Sequence, residues 1–317
     1  MTREPTLPDI RVARELIAPH IHRTPGLTST TLNREHGAQL FFKCENLQKV
    51  GAFKARGATF AVLSAPEADV RGGVVTHSSG NHAAALARAA SIRGVPGHIV
   101  MPSNAPKVKQ DSVRRYGGQI TFCEPTIAAR EAAAAKIQAE TGAMLVHPYD
   151  DWAVITGQGT CAVELLEEIP DLDLILAPVG GGGLTCGTSI AAKALRPGIR
   201  VFGAEPAGAD DAFRSLQTGV RQPQDNPLTI ADGLRVALGE KSFSVLTRLL
   251  DGIVTVSEDA ITSSMRHTWE VMKIIIEPSS AVPLGALQEG KLDVSGKRVG
   301  IILTGGNVDL DRLPWQH

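Results

Sequence analysis

An excess of charge of either sign is the first thing this sequence lacks. Its 317 residues carry a formal net charge of −1, which leaves no electrostatic footprint for nucleic acid or an anionic membrane. No apolar run is long enough to span a bilayer, and the opening Met1-Thr2-Arg3-Glu4-Pro5 has no apolar signal core. Cysteine is scarce: Cys44, Cys123, Cys161 and Cys186 are scattered, with no CxxC pair. That argues against a disulfide or zinc framework and for reduced core thiols. There is no repeat and no low-complexity tract. The expectation is a cytoplasmic protein of one large or two ordinary domains.

Glycine, by contrast, is plentiful, with 32 residues, and suits tight strand-to-helix turns. Gly73-Val74-Val75-Thr76 reads as a strand, Ser78 to His82 as a turn, Ala83 to Ile92 as a helix closed by Gly94, and Gly97 to Met101 as the next strand. The alternation returns over Gln119 to Val146 and over Leu172 to Gly203, and Arg298 to Leu303 reads as a last strand. Such βαβ patterning predicts an α/β fold of parallel sheets covered by helices. Ligands in such sheets bind beyond the carboxyl ends of strands. Ser79 and Asn81, Gly180 to Gly183, Glu205, and Thr304 all fall at such ends.

Lys54 stands in an unusual setting, Lys49-Val50-Gly51-Ala52-Phe53-Lys54-Ala55-Arg56-Gly57-Ala58. Small and apolar residues crowd it. A lysine in a tight apolar site has a lowered pKa, and its neutral amine can form a Schiff base with an aldehyde such as pyridoxal phosphate (PLP). The plainer reading is a packed stem with its head in water. Gly180-Gly181-Gly182-Gly183-Leu184, between an apolar strand and a helix, reads as a phosphate cradle, because glycines let backbone N–H groups approach an anion. It does not satisfy G-x-G-x-x-G in any register. Glu205 nevertheless sits where a ribose-binding acid would in a dinucleotide fold, which keeps a nicotinamide oxidoreductase open. Ser78-Ser79-Gly80-Asn81-His82 precedes a helix and could bind a carboxylate or merely cap the helix.

Taken together, these segments make the chain resemble the serine/threonine dehydratase and serine racemase family, PLP enzymes of the tryptophan-synthase β-like fold (fold type II). The matching pieces run from Arg23-Thr24-Pro25 to Thr304-Gly305-Gly306-Asn307-Val308-Asp309-Leu310. They include Phe42-Lys43-Cys44-Glu45-Asn46, Phe53 to Ala58, Ser78 to His82, Gly157-Gln158-Gly159-Thr160, Gly180 to Leu184, Ala231-Asp232-Gly233 and Glu277-Pro278. Their order and spacing together carry the specificity.

The resemblance implies a two-domain enzyme with PLP between a small mobile domain (69–150) and a large domain (1–68 and 151–317). Lys54 would form the Schiff base and act as base on one face, with Ser79 on the other. Phe53 would pack near the ring, Asn81 would contact its phenolic oxygen, Gly180, Gly181, Gly182, Gly183 and Leu184 would hold the phosphate, and Thr304 would meet the pyridine nitrogen. Ser78, Ser79, Asn81 and His82 would bind the substrate, joined by Arg130 if its distal group is acidic. Glu205, the Ala209 carbonyl and Asp211 would bind Mg²⁺, or Ca²⁺ or Mn²⁺. Relatives are commonly dimers, so a homodimer is expected. Ala84 departs from the family glutamine near a nucleotide site, which puts nucleotide activation in doubt, although Lys273 and Asn307 match there. Control by isoleucine through an appended domain is not expected. Arg235-Val236-Ala237 replaces a serine-bearing stretch and makes that wall more apolar, which suits threonine. The expected activity is β-elimination from L-threonine or L-serine to a 2-oxo acid and ammonia. A serine racemase, a 3-hydroxyaspartate dehydratase and a non-catalytic binder remain open.

Overall fold

The computed structural model describes residues 1–78, 80–105 and 107–316. It contains two sheets. The strands are β1 (Gly26–Thr28), β2 (Gln39–Cys44), β3 (Val74–His77), β4 (Gly97–Pro102), β5 (Gln119–Cys123), β6 (Met144–Leu145), β7 (Leu174–Pro178), β8 (Arg200–Pro206), β9 (Gly252–Val256) and β10 (Arg298–Leu303). The larger sheet runs β1-β2-β10-β7-β8-β9 and the smaller β5-β4-β3-β6. Every pairing among these strands is parallel except β1 with β2. The smaller sheet comes from residues 74–145 and the larger from the chain on either side of it.

The central strands are apolar from end to end because helices cover both faces. Leu174, Ile175, Leu176 and Ala177 of β7 and Val299, Ile301, Ile302 and Leu303 of β10 are all buried. Several helices start where a side chain takes up free backbone N–H groups. Asp151 Oδ1 accepts from Ala153 N at 2.7 Å and Val154 N at 3.1 Å, opening the helix Trp152–Glu168. Thr126 Oγ1 accepts from Ala129 N at 3.1 Å, opening Ile127–Thr141. Gly142 (φ +71°) closes that helix in the left-handed region. Among the described residues no helix is long and apolar enough to cross a membrane.

The expected βαβ alternation is present, with differences at the sheet margins. β1, β2 and β9 carry no repeat of the pattern that flags the others. β6 is only two residues long, since it pairs with β3 alone. Glu205 lies inside β8 rather than after it, because β9 pairs alongside and extends the strand to Pro206↔Val256.

Candidate active site

Lys54 opens the helix Lys54–Ser64. The turn before it is stitched to the end of β10: Phe53 N donates to Thr304 O at 2.9 Å, and Ala52 bridges to Gly305. The half-buried Lys54 donates from Nζ to Pro148 O at 2.6 Å and stands 5.1 Å from the Phe53 ring centroid. Burial lowers its amine to about 8, against an opposite pull from the Glu277 carboxylate. This is the environment in which a lysine supplies a free amine near neutrality.

The segment carrying Pro148 is tied down by its neighbour. His147 Nδ1 accepts from Asp150 N at 2.9 Å and Tyr149 N at 3.4 Å, so its proton belongs on Nε2. The His147 ring meets Tyr149 edge-on at 4.6 Å and His77, at the end of β3, at 5.7 Å. Burial first, then His77, pushes His147 down to about 4, so the imidazole is neutral at physiological pH.

Tyr149 leads on to the glycine run. Gly180 to Gly183 are buried between β7 and the helix Gly183–Leu195. A Cβ on Gly181 would sit 2.2 Å from the Tyr149 ring, and Gly182 adopts φ +84°, so side chains are excluded here for two separate reasons. Leu184 lies buried in the first turn. The result is a side-chain-free loop at a helix N-terminus, which suits a phosphate dianion.

Thr304 and Glu277 form the opposite wall. Thr304 is buried, and its Oγ1 lies 3.0 Å from Ser280 Oγ. Ser280 is itself tied to Gly305 through N and O at 2.7 Å each. Glu277 is buried, and its carboxylate accepts from Asn81 Nδ2 at 2.9 and 3.2 Å and from Asn307 N at 3.2 Å. Asn307 Nδ2 in turn donates to Asn81 Oδ1 at 2.9 Å and Val50 O at 2.8 Å. Burial, then the Asp232 charge, raises Glu277 to about 7.

Ser78 Oγ accepts from Gly80 N at 3.3 Å in the turn after β3. His82 is buried in the first turn of the helix Asn81–Arg93, with Nε2 3.3 Å from Val146 O and no partner on Nδ1 among the described residues. Burial, and next the Lys54 charge, holds His82 well below its ordinary range. Arg130 is half-exposed and turns Nε to Thr126 O at 3.3 Å, at the N-cap of its own helix. Ser79 lies outside the described residues.

The acidic turn gathers a second set of buried carboxylates. Glu205 is wholly buried and accepts from Ala212 N at 3.1 Å and Phe213 N at 2.9 Å. Burial, then Asp211, raises it to about 9. Asp211, also buried and raised by burial, accepts from Leu238 N at 2.7 Å and Gln224 Nε2 at 2.9 Å. Ala209 is buried beside them. Two neighbouring buried carboxylates with only neutral donors fit a divalent cation, which would relieve their repulsion.

Sequence reasoning gave no role to Pro148, His147, Tyr149, Ser280 or Glu277, all of which line or support the site. Only Glu277 had a signal, the Glu277-Pro278 pair. The others are brought in by contacts over long sequence separations.

The chain and its fold are similar to those of known proteins. Residues 17–305 match the family described as pyridoxal-phosphate dependent enzyme. A "beta-hydroxyaspartate dehydratase" of Paracoccus denitrificans (strain Pd 1222) is 52% identical over 311 residues, covering 98% of this chain and 99% of that protein. The structure of maize serine racemase superposes with a TM-score of 0.95 at 45% identity, covering 98% of this chain and 95% of that one. A threonine deaminase from T.th. superposes with a TM-score of 0.91 at 42% identity, covering 96% of this chain and 99% of that one. The chain belongs to the PLP-dependent enzymes, of fold type II.

Proposed function

We propose that this protein is a dehydratase (ammonia-lyase) that removes the β-hydroxyl of an L-β-hydroxy amino acid to give a 2-oxo acid and ammonia. The observation that carries this reading is the Lys54 amine, lowered to about 8 and held at Pro148 O between the glycine cradle and the Thr304 loop. Bound PLP supplies the electron sink that acidifies the substrate Cα–H. Lys54 would anchor the cofactor, and its amine would take the substrate Cα proton. Gly180 to Gly183 hold the phosphate, Phe53 packs on the ring, and Asn81 meets the phenolic oxygen. Thr304 would offer the pyridine nitrogen a hydroxyl, which would not force that nitrogen to stay protonated and so would favour rapid loss of a β-substituent. Ser78, Asn81 and His82 take the substrate carboxylate.

Threonine and serine are the substrates expected from the sequence. We put L-threo-3-hydroxyaspartate ahead of them. Likeness to a β-hydroxyaspartate dehydratase supports that order, and Arg130 is the side chain that would meet the distal carboxylate. Likeness to serine racemases supports a second reading, racemisation with Ser79 as the opposite base. Glu205, Asp211 and the Ala209 carbonyl would hold Mg²⁺. We assign residues 69–150 as the domain that closes on the cleft, in a cytoplasmic homodimer.

The test is 2-oxo acid release from PLP-loaded protein with Mg²⁺, comparing L-threo-3-hydroxyaspartate, L-threonine, L-serine and D-serine. Preference for hydroxyaspartate, lost in Arg130→Ala, supports the acidic-substrate reading. Preference for threonine or serine makes Arg130 incidental. Interconversion of serine enantiomers without oxo acid release supports the racemase.

A further inference from the structure

Two residues beyond Lys54, on the same helix, Arg56 is wholly buried, and all five of its N–H donors are used. Nε and Nη2 grip Glu45 at 2.7 and 2.8 Å. Nη1 and Nη2 grip Glu164 at 2.8 and 2.7 Å. The remaining Nη1 hydrogen reaches Thr160 Oγ1 at 3.2 Å. Lys43 Nζ completes the group, donating to Glu164 Oε2 at 2.8 Å and Thr24 O at 2.6 Å. Two cations thus face two anions, all four buried. Their polar atoms are taken up by one another and by Thr24 and Thr160, not by the cleft.

We infer that Arg56 is the positioning residue of Lys54: its double fork onto Glu45 and Glu164 fixes the rotation of the helix that presents the amine. Three features of the fold support this. First, a buried ion cluster gives little net stability over apolar residues of the same volume, whereas a bidentate fork is directional. Second, the cluster joins the three segments that frame Lys54: β2 with the turn after it, the lysine's own helix, and the helix Trp152–Glu168. Third, the two helices cross with almost no side-chain cushion. A Cβ on Gly157 would lie 2.7 Å from Gly57 Cα, and one on Gly57 would lie 2.7 Å from Val154 O. Backbones in contact can still turn against each other, and the Arg56 fork, one residue before Gly57, opposes that turn. Its link to the site is through the backbone, Arg56 N donating to Phe53 O at 2.9 Å. A displacement of about 1 Å at a reacting group can cost about 10²-fold in rate.

The inference rests on the reading of Lys54 as the PLP lysine. The experiment compares wild type with Arg56→Lys, which keeps the charge and loses the planar fork. Capture of PLP by the apoprotein is followed by absorbance, turnover by 2-oxo acid release, and folding by thermal melting. Capture is expected to slow about tenfold or more, and kcat to fall about 10²-fold with KM within about threefold. Where Arg56→Lys does not fold, the combined variant Lys43→Met, Glu45→Met, Arg56→Met, Glu164→Met, an apolar cluster of similar volume, carries the same test. A folded variant that captures PLP and turns over at the wild-type rate, with only its melting temperature changed, would make Arg56 merely structural and overturn the inference. Absence of capture by wild type itself would count instead against Lys54 as the PLP lysine.

Discussion

At the scale of the residue, the proposed chemistry turns on how readily Lys54 gives up its proton. An exposed lysine is almost fully charged at pH 8; this one is about half neutral there. Reductive alkylation of the apoprotein, mapped to Lys54, is therefore expected to reach half its maximal rate near pH 8, not near the ordinary 10.5. Lys54→Ala should lower turnover by about 10³-fold or more, as measured by 2-oxo acid release. Glu277 is displaced the other way. Its folded-state pKa of about 7 lies above the ordinary 4.5. Its contribution to apoprotein stability is thus present below about 4.5 and lost as pH rises through 7. Glu277→Gln has no such proton, so its melting temperature relative to wild type should rise as pH is raised from mildly acidic to mildly alkaline; a constant difference would mean that Glu277 titrates normally. From its own neighbours Lys54 read more plainly as a packed stem with its head in water; the order and spacing of the other segments turned that reading. Glu277 was not legible locally: its burial and its amide partners Asn81 and Asn307 come from other segments of the chain.

At the scale of the element, the glycine run and the acidic turn each make a local prediction. Gly181→Val would drive a side chain into the Tyr149 ring and deform the cradle. PLP affinity, measured by dialysis and absorbance, should fall sharply while the fold persists. Mg²⁺ at about a hundred times its Kd should stabilise the protein by about 2.7 kcal/mol, and Asp211→Asn should remove that gain in a thermal melt. The strand–turn–helix setting made the glycine run readable, since four consecutive glycines have few uses between a buried strand and a helix; the acidic turn was read as a cation site only through the family resemblance. The strand that holds Glu205 extended further than its pattern indicated, because a partner strand decides where β8 ends. Tyr149 was invisible for a related reason: it reaches Gly181 from a segment whose own composition is ordinary.

At the scale of the whole molecule, the alternation of strands and helices made the parallel α/β class legible, but not which strands share a sheet. That division depends on long-range pairing, such as β2 lying beside β10, which no local pattern encodes. Polar contacts cross from the smaller-sheet region to the larger: Lys109 with Asp232, and Asn81 with Glu277 and Asn307. The partly exposed Lys109–Asp232 pair parts at little cost, whereas the buried apolar cluster that residues 69–150 share with the helix Lys54–Ser64 would have to be kept in the proposed closure. One measurement tests the central claim most directly: borohydride reduction of the PLP-loaded protein, followed by peptide mapping. A single stoichiometric pyridoxyl group is predicted on the peptide containing Lys54. A pyridoxyl group on Lys43, Lys49 or another lysine, with Lys54 unmodified, would contradict it.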